Sequence, residues 1–284
     1  MTKKAKDKTI TLVIGGTGKT GKRIADRLVQ KGQSVRIGSR SSIPSFDWNH
    51  ESGWNAALQG VSSIYITYSP DLAMPGAADA ISALVWRANL QGVERLVLLS
   101  GRGEPEAQAC EQIVQNSGLE WTIVRASWFH QNFSEGAFID MVIGGAITLP
   151  AGDTPEPFVD VDDIADVAVA ALSEDGHNGE VYEVTGSRLM TMADIASDLS
   201  DATGRNIAYV DVPHDAFIEG LTSSGAPKDV VWMLDYLFST VLDGRNAHVT
   251  DGVERAIGRP PKDFADYARE VAATGIWASQ AAVA

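Results

Sequence analysis

Near the start of the chain, Gly15-Gly16-Thr17-Gly18-Lys19-Thr20-Gly21 sets glycines at a Gly-x-x-Gly-x-x-Gly spacing. The run stands between an apolar stretch, TITLVI, and an amphipathic one, KRIADRLVQKG. Glycines here permit a tight turn and let a diphosphate reach the backbone, where free N–H groups and the positive end of the following helix bind its charge. Gly15, Thr17, Gly18, Lys19, Thr20 and Gly21 are therefore the expected phosphate contacts. Gly18-Lys19-Thr20 also resembles the end of a nucleoside-triphosphate loop, but that pattern needs a glycine where Val13 stands.

The second apolar run ends Ile37-Gly38-Ser39-Arg40-Ser41-Ser42. A dinucleotide site that selects NAD usually ends this strand on an acid that binds the ribose hydroxyls. Here a guanidinium and hydroxyls take its place, and these suit a 2′-phosphate. Ser39 and Arg40 are thus expected to favour NADP(H) over NAD(H). Asp47 and Trp48 are expected at the end of a further short strand beside the adenine. Asp47 would there take the adenine amine or cap a helix.

Ligands of open α/β sheets bind outside the carboxyl ends of the strands. Those ends carry Thr67-Tyr68, Ser100-Gly101-Arg102 and Ser127-Trp128-Phe129, all expected to border the cofactor. Tyr68 would wall the nicotinamide or donate a proton, and Ser100 is the second candidate catalytic group. A tyrosine activated by a lysine four residues on is a common proton carrier for oxygen substrates. The residues four beyond Tyr65, Tyr68, Tyr182, Tyr209, Tyr236 and Tyr267 are Ser69, Leu72, Gly186, Pro213, Thr240 and Val271, so that pair is absent. Hydride transfer to a polarised C=N needs no such pair.

The elements that must hold these residues are set by the pattern. Apolar runs alternate with helical segments through SIYITY, ISALVWRANLQG and RLVLLS, a β-α-β rhythm that predicts a Rossmann-type, doubly wound parallel sheet. TLVI, RLVLLS and WTIV are continuously apolar, as central strands covered on both faces must be. After Arg125 the composition shifts, a helix is expected near Asp162, and EVYEVTG reads as one more sheet strand. The expected division is a cofactor-binding domain over 1–155, a return to the sheet over about 157–187, and a smaller, mainly helical substrate lobe over 188–284.

Bulk properties narrow the partners. The 284 residues carry a net charge of −14, so a phosphate backbone is repelled and nucleic acid is not an expected partner. The same charge mildly favours a cationic small-molecule substrate. Cys110 is the single cysteine, which suits a reducing cytoplasm. The opening MTKKAKDK leads into no signal-length apolar run, and no stretch is long enough to span a membrane. No metal site is expected. Asp160, Asp162 and Asp163 read as a helix start with Asp162 as its cap, and His130 reads as a surface histidine.

With the glycine turn, SGRGE at 100–104, WFHQNF at 128–133 and FVDVDDIA at 158–165, the chain resembles the NmrA-like atypical short-chain dehydrogenases. Within that group it is most similar to the ergot-alkaloid-type reductases, the agroclavine and festuclavine dehydrogenases. The resemblance implies an NADPH-dependent reductase of an imine, iminium or activated double bond, with Ser100 where typical members keep a catalytic serine. It equally allows a second class, a redox sensor that binds NADP(H) without turnover. The expected assembly is a monomer or homodimer.

Overall fold

The computed structural model describes residues 9–278, so the opening MTKKAKDK lies outside the described residues. In chain order the elements are β1 (Ile10–Ile14), α1 (Lys19–Gln30), β2 (Ser34–Gly38), α2 (Trp54–Leu58), β3 (Val61–Ile66), α3 (Ala77–Leu90), β4 (Arg95–Gly101), α4 (Pro105–Gln115) and β5 (Glu120–Ala126). They continue as α5 (Ile139–Gly144), β6 (Ala146–Leu149), α6 (Val161–Ser173), β7 (Glu180–Val184), α7 (Met192–Thr203), β8 (Ala208–Asp211), α8 (His214–Ser223), α9 (Lys228–Tyr236), α10 (Gly252–Ile257) and α11 (Phe264–Ala272).

Six strands form a parallel sheet in the order β2-β1-β3-β4-β5-β7, the expected doubly wound Rossmann-type arrangement. The chain passes from β1 to β2 on one side and then crosses to β3 on the other. The order therefore reverses between β1 and β3, where a crevice opens at the carboxyl ends. Leu12, Ile14, Ile64, Ile66, Leu96 and Leu98 face a core shared with α2, α3 and α4. Their neighbours Val13, Tyr65 and Val97 are equally buried, so both faces of the sheet are covered and the strands read as unbroken apolar runs. Across α1 and α6, Arg27 Nε meets Asp166 at 2.8 Å.

The chain divides into two compact units. Among the described residues the first comprises 9–125, 164–183 and 255–258, and the second 126–163, 184–254 and 259–278. The first unit closes at Arg125 rather than at residue 155. The reason is apolar packing: Phe133, Phe138, Val142, Ile147, Leu149 and Phe158 join a separate core with residues of α7, α9 and α11. That second unit is mainly helical, with one small parallel sheet of β6 and β8. Among the described residues no helix is long and apolar enough to cross a membrane.

Candidate cofactor and reaction site

The turn from β1 into α1 is built around backbone proximity. Gly15 has a φ of +69°, and Thr67 Cγ2 fills the space a β-carbon there would need. A β-carbon on Gly21 would overlap the Gly15 carbonyl, and Gly18 donates to that carbonyl at 2.8 Å. Glycine at 15 and 21 is thus a steric requirement of bringing the helix N-terminus against the strand end. Gly18 caps α1 with no side-chain hydrogen bond. Thr17 and Gly18 are exposed, Lys19 is half-buried, and Thr20, in the first turn of α1, is buried.

Beyond β2, Ser42 Oγ donates to the Ser39 carbonyl at 2.9 Å and accepts from its N–H at 3.0 Å. This closes a loop that leaves Arg40 and Ser41 exposed, with Ser39 Oγ 3.3 Å from Ser41 Oγ. Asp47 and Trp48 do not end a strand. Asp47 forms only an isolated bridge to His50, and its carboxylate accepts from the Asn49 N–H at 3.0 Å, closing a tight turn. That bond, then His50 Nδ1 at 3.0 Å, holds its pKa below the usual carboxylate value. Asp47 is accordingly not a helix cap either. Trp48 donates from Nε1 to the Thr67 carbonyl at 3.1 Å and packs on Phe46, Trp54 and Tyr68. It ties the loop after β2 to the end of β3.

Tyr68 is half-buried with its ring 4.9 Å from Trp48. Burial, then the nearby Cys110, pushes its hydroxyl pKa up, so the phenol keeps its proton and is a poor acid at neutral pH.

At the end of β4 the polar groups are already engaged. Ser100, 4 % exposed, lies 2.6 Å from Glu111 Oε1 in α4. Glu111 also takes Arg125 Nε at 2.9 Å and Nη2 at 2.5 Å. A carboxylate held in this way only accepts, so Ser100 is the donor. Arg125 continues to Glu183 at 2.6 Å, and Arg102 Nε stands 3.5 Å from the same carboxylate. Arg102, predicted as a cofactor contact, is buried in this network rather than directed at solvent. Glu104 is also buried, and its carboxyl folds back over Gly101, filling the space a β-carbon on residue 101 would need.

Ser127, Trp128 and Phe129 open the second unit. Ser127 donates its N–H to Val184 O at 3.1 Å and its hydroxyl to Glu156 at 3.2 Å. Trp128 packs on Phe158 and Phe238, and Phe129 pairs with Val159. His130 is not at the surface: it is 1 % exposed, hydrogen-bonded through Nε2 to Phe158 O at 2.9 Å, and set against Phe264 and Tyr267. Asp160, not Asp162, takes the capping place, since it accepts the Asp162 N–H at 2.7 Å just ahead of α6. Burial opposes the charge on Asp160. The facing His130, the Asp162 N–H and Lys262 outweigh it and hold the pKa well below the usual carboxylate range. Asp163 binds Arg259 at 2.6 Å and the Lys262 N–H at 2.7 Å. These acids staple backbone. Elsewhere in this unit an apolar pocket of about 310 Å³ is lined by Met141, Thr148, Val212, Ala216, Phe217 and Leu221.

Residues 15–175, beginning at the glycine turn, match the NAD(P)H-binding family, and residues 108–266 match the NmrA-like family. The chain belongs to the NmrA-like family. It is 32% identical to an agroclavine dehydrogenase of Claviceps fusiformis over 279 residues, covering 90% of this chain and 95% of that one. It is 30% identical to an NAD(P)H azoreductase of Xenophilus azovorans over 284 residues, covering 92% and 98%. The triphenylmethane reductase of a Citrobacter species, solved with NADP(H), shares the fold with a TM-score of 0.77 at 18% identity, over 92% of this chain and 99% of that one. This NmrA-like chain is thus a member of an NAD(P)H-dependent oxidoreductase family.

Sequence reasoning missed the charged residues behind the NmrA-like strand ends: Asp71, Glu104, Glu111, Arg125 and Glu183. Glu104 was visible inside SGRGE, and Glu111 was visible beside Glu106 and Cys110 as an ionisable group of the following helix. Their partners were not, because Arg125 and Glu183 come from other strands of the sheet.

Proposed function

We propose that this chain is an NADPH-dependent reductase that transfers hydride directly to an imine, iminium or activated double bond of a small molecule. Gly15, Thr17, Gly18, Lys19, Thr20 and Gly21 receive the diphosphate, and Ser39, Arg40 and Ser41 receive the 2′-phosphate. Asp47 and Trp48 border the adenine; Thr67 and Tyr68 border the nicotinamide. The observation that carries the reading is the Ser100–Glu111 bond of 2.6 Å. It commits the serine hydroxyl hydrogen inside the protein, and Tyr68 holds its own proton tightly, so nothing in this strand-end arrangement resembles the hydroxyl acid used to reduce a ketone. A C=N bond, polarised or already charged, fits that arrangement better. Ser100, Gly101 and Arg102 act as a rigid floor under the cofactor, and positioning against the nicotinamide supplies much of the rate, of the order of ~7–11 kcal/mol where near-attack geometry is reached.

The second unit is assigned substrate selection. Trp128 belongs to its aromatic packing, Phe129 pairs with Val159, and its pocket is apolar and of a size that takes a small ring system. The net charge of −14 favours cationic compounds over anionic ones. A reducing cytoplasm suits the single buried cysteine. The test is to mix the NADPH complex with a panel of cyclic imines and follow nicotinamide absorbance. Oxidation of the cofactor supports the reductase; tight NADPH binding with no oxidation by any compound favours the sensor.

A further inference from the structure

Two members of the SGRGE run are accounted for by their ion pairs and hydrogen bonds, Ser100 with Glu111 and Arg102 with Glu183. Glu104 is not. After Gly103, whose φ is +75°, its side chain turns back toward the end of β4 and lies on Gly101. It is 5 % exposed, and its carboxyl lies within hydrogen-bonding reach of that of Asp71, in the loop after β3. Ionised carboxylates have only acceptors, so two carboxyls this close can bond only if one of them carries a proton.

The surroundings keep the proton there. Asp71 Oδ1 accepts the Ala73 N–H at 2.8 Å. The charged group that acts on both carboxyls is Glu106 of α4, itself an acid, and Cys110 of α4 is close enough to be raised by Asp71. Burial first, then the Asp71 charge, pushes Glu104 well above the usual carboxylate range, and burial raises Asp71 as well. A second observation points outward. Glu104 Oε2 is buried and has no hydrogen-bond partner among the described residues, a polar atom that a ligand N–H or O–H at this edge would satisfy.

We propose that Asp71 and Glu104 hold one proton between them at neutral pH and deliver it to a neutral imine as hydride arrives, with buried Glu104 holding the proton and half-buried Asp71 relaying it. The inference rests on the reductase reading and narrows its substrate class. Hydride leaves the dihydronicotinamide with both electrons and forms the new C–H bond. The C=N π pair moves to nitrogen, which takes a proton through Asp71 as Asp71 receives the one held by Glu104. Oxidised cofactor, a secondary amine and an ionised carboxyl pair remain, and solvent restores the proton. Both carboxyls stand at the carboxyl edge of β3 and β4, beside the strand-order reversal.

The test compares wild type, Glu104→Gln and Asp71→Asn by infrared difference spectroscopy near neutral pH and by turnover. Two substrates are used, a cyclic imine above its own pKa and the N-methylated cation of the same ring. A protonated-carboxyl band is expected in wild type and absent from Glu104→Gln. Turnover of the neutral imine is expected to fall ~10²-fold in both variants, with a loss on the cation about tenfold smaller and NADPH affinity within about twofold. No such band in wild type, or equal losses on both substrates, overturns the proposal. If wild type binds NADPH yet reduces neither compound, the reductase reading fails and proton delivery falls with it, while the band still reports whether the pair holds a proton.

Discussion

Ser100 gives its hydroxyl hydrogen to Glu111 across 2.6 Å, and Glu111 is in turn gripped by Arg125 through two guanidinium nitrogens. The serine is therefore an anchor for the end of β4, and the anchor is electrostatic. Glu111 is 2 % exposed, so its charge is tolerable only while paired. Replacing Arg125 with Met should destabilise the protein by ~3–5 kcal/mol, because an unpartnered carboxylate stays buried. Ser100→Ala should cost less, ~1.5–3 kcal/mol, as one donor of three is removed. Urea melts of both variants check the order.

Arg40 is exposed and stands where the 2′-phosphate is assigned. Arg40→Ala should weaken NADPH binding about tenfold and leave NADH within about twofold, since one solvent-screened charge-assisted contact is lost from only one cofactor. Nicotinamide fluorescence titrations of wild type and variant with both cofactors measure this.

Gly21→Ala places a methyl group on the Gly15 carbonyl, which is backbone and cannot turn aside. The expected cost is ~1–3 kcal/mol of stability. It comes with a larger proportional loss in the thermal shift that NADPH induces, since the distorted turn is the proposed phosphate site. A thermal shift in NADPH equal to that of wild type would remove this turn from the cofactor site.

The raised pKa of Glu104 makes stability depend on pH in a definite direction. In the unfolded chain Glu104 loses its proton near its ordinary value of 4.5, whereas in the fold it keeps the proton up to about 9. Between those values the folded state binds more protons, so this group's contribution is complete below about pH 4.5 and is lost as pH rises. Glu104→Gln has no proton to lose, so its stability relative to wild type should rise across that interval. Denaturant midpoints measured from about pH 5 to about pH 9 give the slope.

Much of this architecture is legible in the chain because both cues are local. The continuous apolar runs of β1, β4 and β5 and the glycine spacing at 15–21 each report their own element. The departures are long-range. Asp47 and Trp48 looked like a strand end, but Trp48 is held by Thr67 and Tyr68 from the far end of β3, which needs no strand pairing. His130 looked like a surface histidine because the acids and aromatics that enclose it, Asp160, Phe264 and Tyr267, are distant in sequence. Arg102 looked available for a cofactor because Glu183, its partner, lies on β7. Spacing along one strand shows which side chains reach its end, but not which of them are already neutralised there.

The proposed reaction is direct hydride transfer from NADPH to a substrate carbon. Turnover of an imine substrate with NADPH deuterated at the transferring C4 position, one face at a time, tests it by mass spectrometry of the product. One stereoisomer is expected to pass its deuterium to the former imine carbon and the other to pass none. Product carrying no deuterium from either isomer, or label washed into solvent, would contradict it.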